Sequence, residues 1–554
     1  TQWSLNRLIR FGIARAMSPN TKRPFTDEQT LKELQFFEVL NYLKTFAISE
    51  SAQHKISKIQ PSNSFKNLRI DLLRTKERLD ILQRRMAFPA LSYEELINEI
   101  MFLGKDDGVL TLEGFLRIYS ASALINSYLD FFDHNPRFTE LIKLFESCYL
   151  TLDINASIEK IIDVRQTKNI KDDATPALAK IRHDIRQTRQ KINRNFDREL
   201  RRLLKEGFLA ETHESFIANR RVLSVQSTYK RRVPGSILGT SKTGSLTFIE
   251  PKVNEPLSYE LDCLLDDERS EMYRILKGLT HTIRHYLPLI EAYQNTLVSF
   301  DIINAKARMA ANMEATLPSL QNTLTLDWKN AFHPLLRSHN DSLQKKTIPQ
   351  QLRLNEACRM LVISGPNAGG KSLTLKTFGL LQSMLQAGML IPVHPDSTAC
   401  FFDQLYSDIG DNQSIENELS TYSYRLKRMK YFLQIFDAKS ILLLDEFGSG
   451  SDPELGAALA EVFFNRLAEK NGFAILTTHY SSIKNRATEM EGAINGAMRF
   501  DVSSLAPLYE LELGLPGSSF TFEVAQKMGI DKQSITEAKK RLGADAKALN
   551  GLLG

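Results

Sequence analysis

A glycine-rich stretch in the second half of the chain has the residue types and spacing of a phosphate-binding loop. Residues 361–372 read Leu-Val-Ile-Ser-Gly-Pro-Asn-Ala-Gly-Gly-Lys-Ser and fit the pattern G-x-x-x-x-G-K-[ST]. Glycines let the backbone curl so that successive N–H groups point inward, and the following helix adds its positive end. We expect Lys371 to neutralise the phosphates of a nucleotide and Ser372 to hold Mg²⁺ through its hydroxyl. The predicted nucleotide contacts in this stretch are Gly365, Pro366, Asn367, Ala368, Gly369, Gly370, Lys371, Ser372 and Leu373.

Two carboxylates and one histidine follow buried strands farther along the chain. The apolar run 441–444 ends at Asp445 and Glu446, and the run 473–478 ends at His479. Because the carboxyl ends of parallel strands meet at one edge of a sheet, these side chains are expected near the phosphate loop. There, Asp445 would bind Mg²⁺ through water, Glu446 would polarise the attacking water, and His479 would contact the γ-phosphate or that water. Lys371, Glu446 and His479 are therefore the predicted catalytic residues.

Five segments, in order along the chain, resemble the MutS ATPases and specifically their second bacterial subfamily, MutS-two. They are GPNAGGKSLTLKT (365–377), QAGMLIP (386–392), SDIGDNQSIENELSTYS (407–423), LLLDEFGSGSDPELGAALAE (442–461) and TTHYSSIK (477–484). The segment that begins at Asp408 and the tyrosine at 480 favour MutS-two over the mismatch-repair branch. The resemblance implies ATP with Mg²⁺. It also implies that Ser420 and Thr421 reach across a homodimer to the partner's nucleotide, which gives two composite sites.

The composition is that of a multidomain protein without a membrane span. The chain has 554 residues, 25% of them charged, and a mean hydropathy of −0.25. It contains no apolar run of about 18 residues, the length a membrane helix needs. The cysteines form no C-x-x-C pair, so neither a disulfide framework nor a zinc site is predicted, and a cytoplasmic protein with reduced thiols is expected. Residues 1–16 begin at Thr1 and lack a secretion signal, which indicates the start of a fragment.

Helical periodicity dominates the first half of the chain, and strand–helix alternation dominates the second. Residues 176–205 carry the apolar spacing of a coiled-coil arm, and 257–290 return with a break near Pro288. We predict a multidomain α plus α/β protein, with a helical core, a long coiled-coil lever, a small β clamp and a P-loop ATPase domain of ABC type. The predicted segments are an N-terminal extension (1–27), the helical core (28–160), outward lever helices (161–218), a clamp-like β insert (219–256), returning lever helices (257–320), the ATPase domain (321–512) and a C-terminal helical dimerisation tail (513–554).

Positive charge concentrates on the arm and its tip. Residues 181–232 hold 14 Lys and Arg against 6 Asp and Glu, a surplus of 8, whereas the whole chain nets only +6. A basic arm on a nearly neutral body is the footprint of binding to a nucleic-acid backbone, and a solvated helix face is the alternative. The candidate nucleic-acid contacts at the tip are Arg220, Arg221, Lys230, Arg231 and Arg232.

The resemblance implies an ATP-hydrolysing dimer and leaves its target open. One role is a clamp on branched or mismatched DNA in repair and recombination control; another is a ribosome-associated ATPase that splits stalled ribosomes. Phosphate contacts do not distinguish DNA from ribosomal RNA. Ordinary mismatch recognition is disfavoured because the chain has no room for an N-terminal mismatch-reading domain, and a scaffold without turnover is opposed by Glu446. Nothing resembles the KOW and Smr modules of MutS-two proteins, so nuclease activity is not predicted.

Overall fold

The protein folds into two compact units in a computed structural model. The structure describes residues 24–321, 323–366, 369–410, 421–448, 453–501, 506–515, 529–538 and 540. The first unit comprises the described residues of Thr1–Phe88, Phe138–Lys143 and Val298–Gly554. The second comprises Pro89–Arg137 and Leu144–Leu297.

Helices form a large part of both units. In chain order they are α1 Glu28–Glu33, α2 Phe36–Lys44, α3 Glu50–Ser57, α4 Phe65–Gln83, α5 Ile97–Leu103, α6 Leu112–Asp133, α7 Thr139–Leu144, α8 Asp153–Ile161, α9 Pro176–Glu206, α10 Glu255–Arg284, α11 Leu287–Asn312, α12 Pro334–Ser342, α13 Lys371–Gln386, α14 Thr421–Ile435, α15 Pro453–Glu469 and α16 Ser481–Glu489. The gap between α10 and α11 confirms the predicted break near Pro288.

The strands form one large sheet and three smaller ones. They are β1 Ile162–Asp163, β2 Asn169–Ile170, β3 Leu209–Ile217, β4 Arg220–Gln226, β5 Gly235–Thr240, β6 Leu246–Pro251, β7 Ser319–Leu320, β8 Leu326–Ala331, β9 Gln350–Leu354, β10 Met360–Ser364, β11 Thr398–Ala399, β12 Gln404–Asp408, β13 Ser440–Leu444, β14 Phe473–Thr477, β15 Ala493–Asp501 and β16 Ala506–Leu513. The large sheet has the order β12-β13-β14-β10-β15-β16. The small sheets have the orders β1-β2, β7-β11-β8-β9 and β3-β4-β6-β5.

The large sheet is parallel from β12 to β15, and only β16 runs antiparallel. Its register pairs Asp408 with Leu444 and Ile363 with Thr477. The carboxyl ends of β12, β13, β14 and β10 therefore lie side by side, and for β10, β13 and β14 this confirms the prediction from their apolar runs. Polar residues that follow these four strands meet at one edge.

Helices cover both faces of this sheet. Along β10, Leu361 and Ile363 pack into a core that includes Phe378 of α13 and Phe36 of α2, while Met360 and Val362 pack with α14, α15 and α16. Alternate side chains of a strand point to opposite faces, so a strand covered on both sides must be apolar throughout.

The predicted helical core, 28–160, is divided between the two units. Residues up to Phe88 belong to the first unit, because α1 and α2 bury Leu34, Phe36, Val39 and Leu40 in the core of the large sheet. Most of the remainder belongs to the second unit. These long-range contacts carry no local sequence pattern.

Helices α9 and α10 of the second unit run antiparallel. Thr175, which caps α9, donates its hydroxyl hydrogen bond to Glu271 Oε1 at 2.8 Å, and Asn254 Nδ2, at the start of α10, donates to the carbonyl of Ile192 at 3.1 Å. The start of α9 therefore lies against the middle of α10, and the start of α10 lies against the middle of α9. α9 ends at Gly207, whose φ of 71° is the left-handed conformation typical of a helix C-terminus.

The β insert between these helices is longer than the predicted 219–256. Strand β3 takes Leu209–Ile217 from the segment assigned to the outward helices, and it pairs with β4 through a two-residue turn at Ala218 and Asn219. Both turn residues have positive φ, 46° and 62°, as a type I′ hairpin requires. The usual Asn-Gly signal is absent, and β3 has little apolar alternation, which explains the difference.

In the described part of the chain, every helix is too short or too polar to cross a membrane.

Gly379 of α13 is tightly packed against residues from two other parts of the first unit. A Cβ at this position would lie 2.5 Å from Leu34 Cδ2 and 2.6 Å from Leu443 Cδ1, which close on the helix from two directions. At Gly278 of α10, in contrast, a Cβ would meet no heavy atom of the described residues within 4 Å. A larger residue at this position would have to displace the methyl groups of Leu34 and Leu443.

We expect Gly379→Val to destabilise the protein by about 2 kcal/mol or more, because overpacking a filled core forces its neighbours to shift. Gly278→Val, in open space, should change stability by less than about 0.5 kcal/mol. Thermal and urea unfolding of both variants measures the difference. Equal stabilities would contradict the packing described for α13.

Candidate functional site

Lys371 opens α13 just beyond β10, and its ammonium group turns back over the glycine-rich loop. Nζ donates to the carbonyl oxygens of Gly365 at 2.8 Å and Pro366 at 3.0 Å, and the residue is only 4% exposed. Burial lowers the pKa of Lys371, and the nearby Asp445 and Glu446 carboxylates act in the opposite direction. The lysine and both carboxylates are therefore close enough for their charges to interact.

Two glycines of the loop pass close under β15 and β16. Gly365 has a φ of 140°, and a Cβ there would lie 3.0 Å from Met498 Cβ. Gly370 has a φ of 92°, and its Cβ would lie 3.3 Å from Tyr509 Cδ1. L-residues rarely adopt such backbone angles, so both the backbone and the space require glycine. The described glycines thus bring the backbone of the loop close to β15 and β16.

Thr477, the last residue of β14, joins the two carboxylate residues that follow β13. Its hydroxyl donates to Asp445 Oδ1 at 2.6 Å and accepts the backbone N–H of Glu446 at 2.8 Å. Asp445 N–H in turn donates to the carbonyl of Asp408 at 2.9 Å. One buried hydroxyl therefore orients the Asp445 side chain and the Glu446 backbone together.

Glu446 has a backbone conformation that is unusual for its residue type. Its φ is 47°, in the left-handed region that favours glycine. Such a conformation costs on the order of 1 kcal/mol and persists only when the surroundings enforce it. Here the enforcing contacts are the Thr477 hydroxyl on the Glu446 N–H and Arg425 Nη1 on its carbonyl, at 3.2 Å.

His479 stands just beyond β14, where its surroundings favour the neutral ring. Burial lowers the pKa of His479, and the positive charges of Lys371 and Lys484 lower it further, while Glu446 and Asp445 partly oppose them. A neutral imidazole carries one N–H donor and one acceptor nitrogen. His479 can therefore offer a hydrogen bond to an anion held by Lys371.

The remaining predicted nucleotide contacts lie around the start of α13 or outside the described residues. Ser372 is exposed in the first turn of α13, and Leu373 is half-buried beside it. The Gly369 N–H donates to the carbonyl of Pro366 at 2.9 Å. Asn367, Ala368 and Ser420 are outside the described residues, and Thr421 is the first residue of α14.

Tyr509 was missed by sequence reasoning. The residue is 44% exposed, and its ring lies against Gly370. Its backbone has a φ of 57°, and its carbonyl oxygen accepts a hydrogen bond from Gln350 Nε2 at 2.7 Å. It sits where the pairing of β15 with β16 shifts register between Met498 and Phe500. A bulge of this kind has no sequence signal here. An exposed aromatic ring can stack on another planar ring.

The five predicted nucleic-acid residues fall into two groups. Arg220 pairs with Glu250 at 2.9 Å and Asp262 at 2.5 Å, and Arg221 pairs with Asp197 at 2.8 Å. These two arginines of β4 are therefore engaged within the second unit.

Lys230, Arg231 and Arg232, after β4, are exposed. The structure describes no ion pair for these three residues among the part of the chain it covers, and Arg232 lies 5.9 Å from the centre of the Phe208 ring. They are the members of the predicted set that present charge to solvent.

Comparison with known proteins identifies the class. The family model described as MutS domain V matches residues 361–544, which include the glycine-rich loop, the two strand-end carboxylates and His479. The sheet edge and this match together define a MutS-type protein.

Comparison over nearly the whole chain narrows the class further. The chain is 32% identical over 532 residues to a protein of Clostridium perfringens named Endonuclease MutS2, 31% identical over 534 residues to one of Enterococcus faecalis, and 29% identical over 529 residues to one of Lactobacillus acidophilus, both with that same name. Each match covers 95% of this chain and 66% of the relative. The chain belongs to the MutS2 family and spans 66% of the length of these relatives.

We expect Lys371→Met to raise the pKa of His479, because removing a neighbouring positive charge makes protonation of the imidazole easier. Hydrogen–deuterium exchange at the imidazole C2 position, followed by mass spectrometry across pH, measures this. Lys439→Met is the matched control, since Lys439 is exposed before the amino end of β13. A His479 pKa that moves equally in both variants, or in neither, would contradict the described proximity.

Proposed function

We propose that this protein is an ATPase of the MutS type that binds DNA. The observation that carries the proposal is the meeting of Lys371, Asp445, Glu446 and His479 at the carboxyl edge of one parallel sheet, next to the glycine-rich loop. Ligands of open α/β sheets bind outside the carboxyl ends of the strands.

The residues present fit ATP and Mg²⁺. Gly365 and Gly370 leave little room for a side chain, and the Lys371 ammonium group adds a positive charge next to the carbonyls of Gly365 and Pro366. Lys371 and the loop would hold the β- and γ-phosphates, Tyr509 would lie against the adenine, and Ser372 and Asp445 would hold the metal. Bound Mg²⁺ supplies charge neutralisation of the phosphate oxygens.

Hydrolysis would use the two residues beside the lysine. Glu446, whose backbone is fixed by Thr477 and Arg425, would orient and polarise the attacking water. His479, kept neutral near pH 7 by burial and by Lys371, would donate a hydrogen bond to the γ-phosphate or to that water. Asp445 has its carboxylate oriented by Thr477, which favours a metal-binding role over a basic one.

DNA binding is proposed for the exposed cations of the second unit. Lys230, Arg231 and Arg232 follow β4 at the end of the α9–α10 pair where the β insert lies. Exposed cations can neutralise phosphates of a nucleic-acid backbone. We propose a dimeric clamp on branched or mismatched DNA, and a ribosome as partner is an outcome that the binding experiment separates.

A homodimer is proposed on the resemblance of the Ser420–Thr421 segment and on an exposed apolar face of α15. Leu455 and Val462 lie seven residues apart on that helix and are 74% and 53% exposed. Residues spaced by seven share one face of a helix, so an apolar stripe there suits a subunit contact.

The relatives are named endonucleases. The absence of nuclease activity in this chain remains a prediction.

We expect Glu446→Gln to retain ATP binding and to lose most ATP turnover, because the amide keeps the shape of the side chain but cannot act as a base. A loss of about 100-fold or more in kcat is expected for removal of a general base. Phosphate release and binding of a fluorescent ATP analogue measure the two properties. Glu454→Gln, an exposed acid on α15, is the matched control. Undiminished turnover in Glu446→Gln would refute the proposed role.

We expect the ATP-loaded Glu446→Gln protein to prefer four-way DNA junctions over perfect duplex and over ribosomes, in competition at one salt concentration. Neutralising Arg231 and Arg232 to Gln should weaken DNA binding and reduce its salt dependence, because fewer counterions are released. Arg84 and Arg85, two adjacent exposed arginines of the first unit, provide the control pair. Equal losses from both pairs would contradict a clamp at the β insert. A preference for ribosomes would place the function in translation.

A further inference from the structure

The turn after β13 is anchored mainly by its neighbours in the sheet. The N–H of Phe447 donates to the carbonyl of Thr477 at 2.8 Å, and the Phe447 carbonyl accepts from Thr478 Oγ1 at 3.2 Å. The Gly448 carbonyl accepts from the Tyr480 hydroxyl at 3.1 Å. These partners lie at or just beyond the end of β14, so most of the turn moves with the sheet.

The carbonyl of Glu446 is bound differently. Its donor is Arg425 Nη1, at 3.2 Å, and Arg425 lies on α14. Among the hydrogen bonds described for residues 445–448, this is the contact that comes from a helix. It acts on the residue of the turn with the strained φ of 47°.

We propose that Arg425 is a positioning residue for Glu446, and that it makes the direction of the Glu446 side chain depend on where α14 stands. The inference rests on the proposed function, since it takes Glu446 to act in hydrolysis. Arg425 itself touches neither nucleotide nor water in this proposal.

The physical basis is the geometry of a single residue held at both of its peptide groups. With the N–H fixed by Thr477 and the carbonyl fixed by Arg425, the Cα–Cβ bond of Glu446 has one direction. The peptide group that joins Glu446 to Phe447 is also held through the Phe447 N–H, so loss of the Arg425 contact leaves it anchored at one atom instead of two. The backbone of Glu446 can then shift toward the ordinary negative-φ region, which would redirect the side chain. A displacement of about 1 Å at a catalytic group can cost up to about 100-fold in rate.

Helix α14 also contacts β12, the strand beside β13 in the sheet. Arg428 Nη2 donates to the carbonyl of Ser407 in β12 at 2.5 Å, and Nη1 lies 3.4 Å from Asp27 Oδ2. Two arginines one turn apart therefore connect α14 to backbone carbonyls at the ends of adjacent strands. Thr421, which opens α14, precedes Arg425 by about one turn. A movement imposed on the start of the helix would thus reach Glu446 over a short distance.

The test compares ATP hydrolysis and nucleotide binding in Arg425→Ala and Arg425→Lys. We expect Arg425→Ala to lower kcat by about 10-fold or more while the Kd for a fluorescent ATP analogue stays within about 2-fold, because the phosphate loop is untouched. Arg425→Lys should recover part of kcat, since an ammonium group can still donate to the carbonyl. Lys427→Ala is the matched control, because Lys427 is exposed on the same helix.

The double variant Arg425→Ala/Glu446→Gln separates positioning from a general structural effect. If Arg425 acts through Glu446, the double variant should be no slower than Glu446→Gln alone. If Arg425→Ala lowers kcat by the same factor in the Glu446→Gln background as in the wild-type background, the inference is overturned. A wild-type kcat in Arg425→Ala alone would also overturn it. Failure of the proposed function looks different, because Glu446→Gln itself would then turn over ATP normally. Should Arg425→Ala fail to fold, Arg425→Gln takes its place, and Arg425→Lys remains the variant that is expected to recover part of kcat.

Discussion

The central constraint on this protein is a parallel sheet that is covered by helices on both faces. Every side chain in the middle of β10, β13 and β14 must then be apolar, and all five residues of each strand are buried. Polar chemistry is left only at the strand ends. The site is therefore built from the residues that follow each strand, and its geometry is set by the register that places Ile363 beside Thr477.

Several lysine and arginine side chains are neutralised by acidic partners within the fold. At the sheet edge, Lys371 loses hydration on burial and regains stabilisation from two carboxylates and two loop carbonyls. In the second unit, Arg220 and Arg221 find acidic partners within their own unit, whereas Lys230 and Arg231 form no ion pair with the residues that the structure describes. A basic count along the sequence thus overstates the charge available to a nucleic acid, because part of it is neutralised on folding.

The features of the fold and of the site that could be predicted are those with a contiguous pattern in the sequence. The glycine-rich loop and the acids after the apolar run 441–444 are contiguous patterns, so their shared sheet edge followed from the rule for parallel strands. The amphipathic spacing of α9 was equally local, and the helix spans Pro176–Glu206. The packing of α1 and α2 on α13 was not predictable, because Leu34 and Gly379 are far apart in the chain. Strand β3 was missed because its turn, Ala218-Asn219, lacks glycine. The ion pair of Arg220 with Asp262 was not predictable because the two residues lie 42 positions apart.

The position of Tyr509 has a consequence for how the protein folds. Its carbonyl is held by Gln350, 159 residues earlier in the chain, and its ring rests on Gly370. Contacts between residues so distant in sequence carry a loop-closure cost that must be met before they add stability. The surroundings of the glycine-rich loop are therefore complete only when β9, α13 and the β15–β16 pair have assembled. A ligand that needs all of these parts binds the finished fold and not its precursors, so its binding energy adds to the stability of the whole first unit.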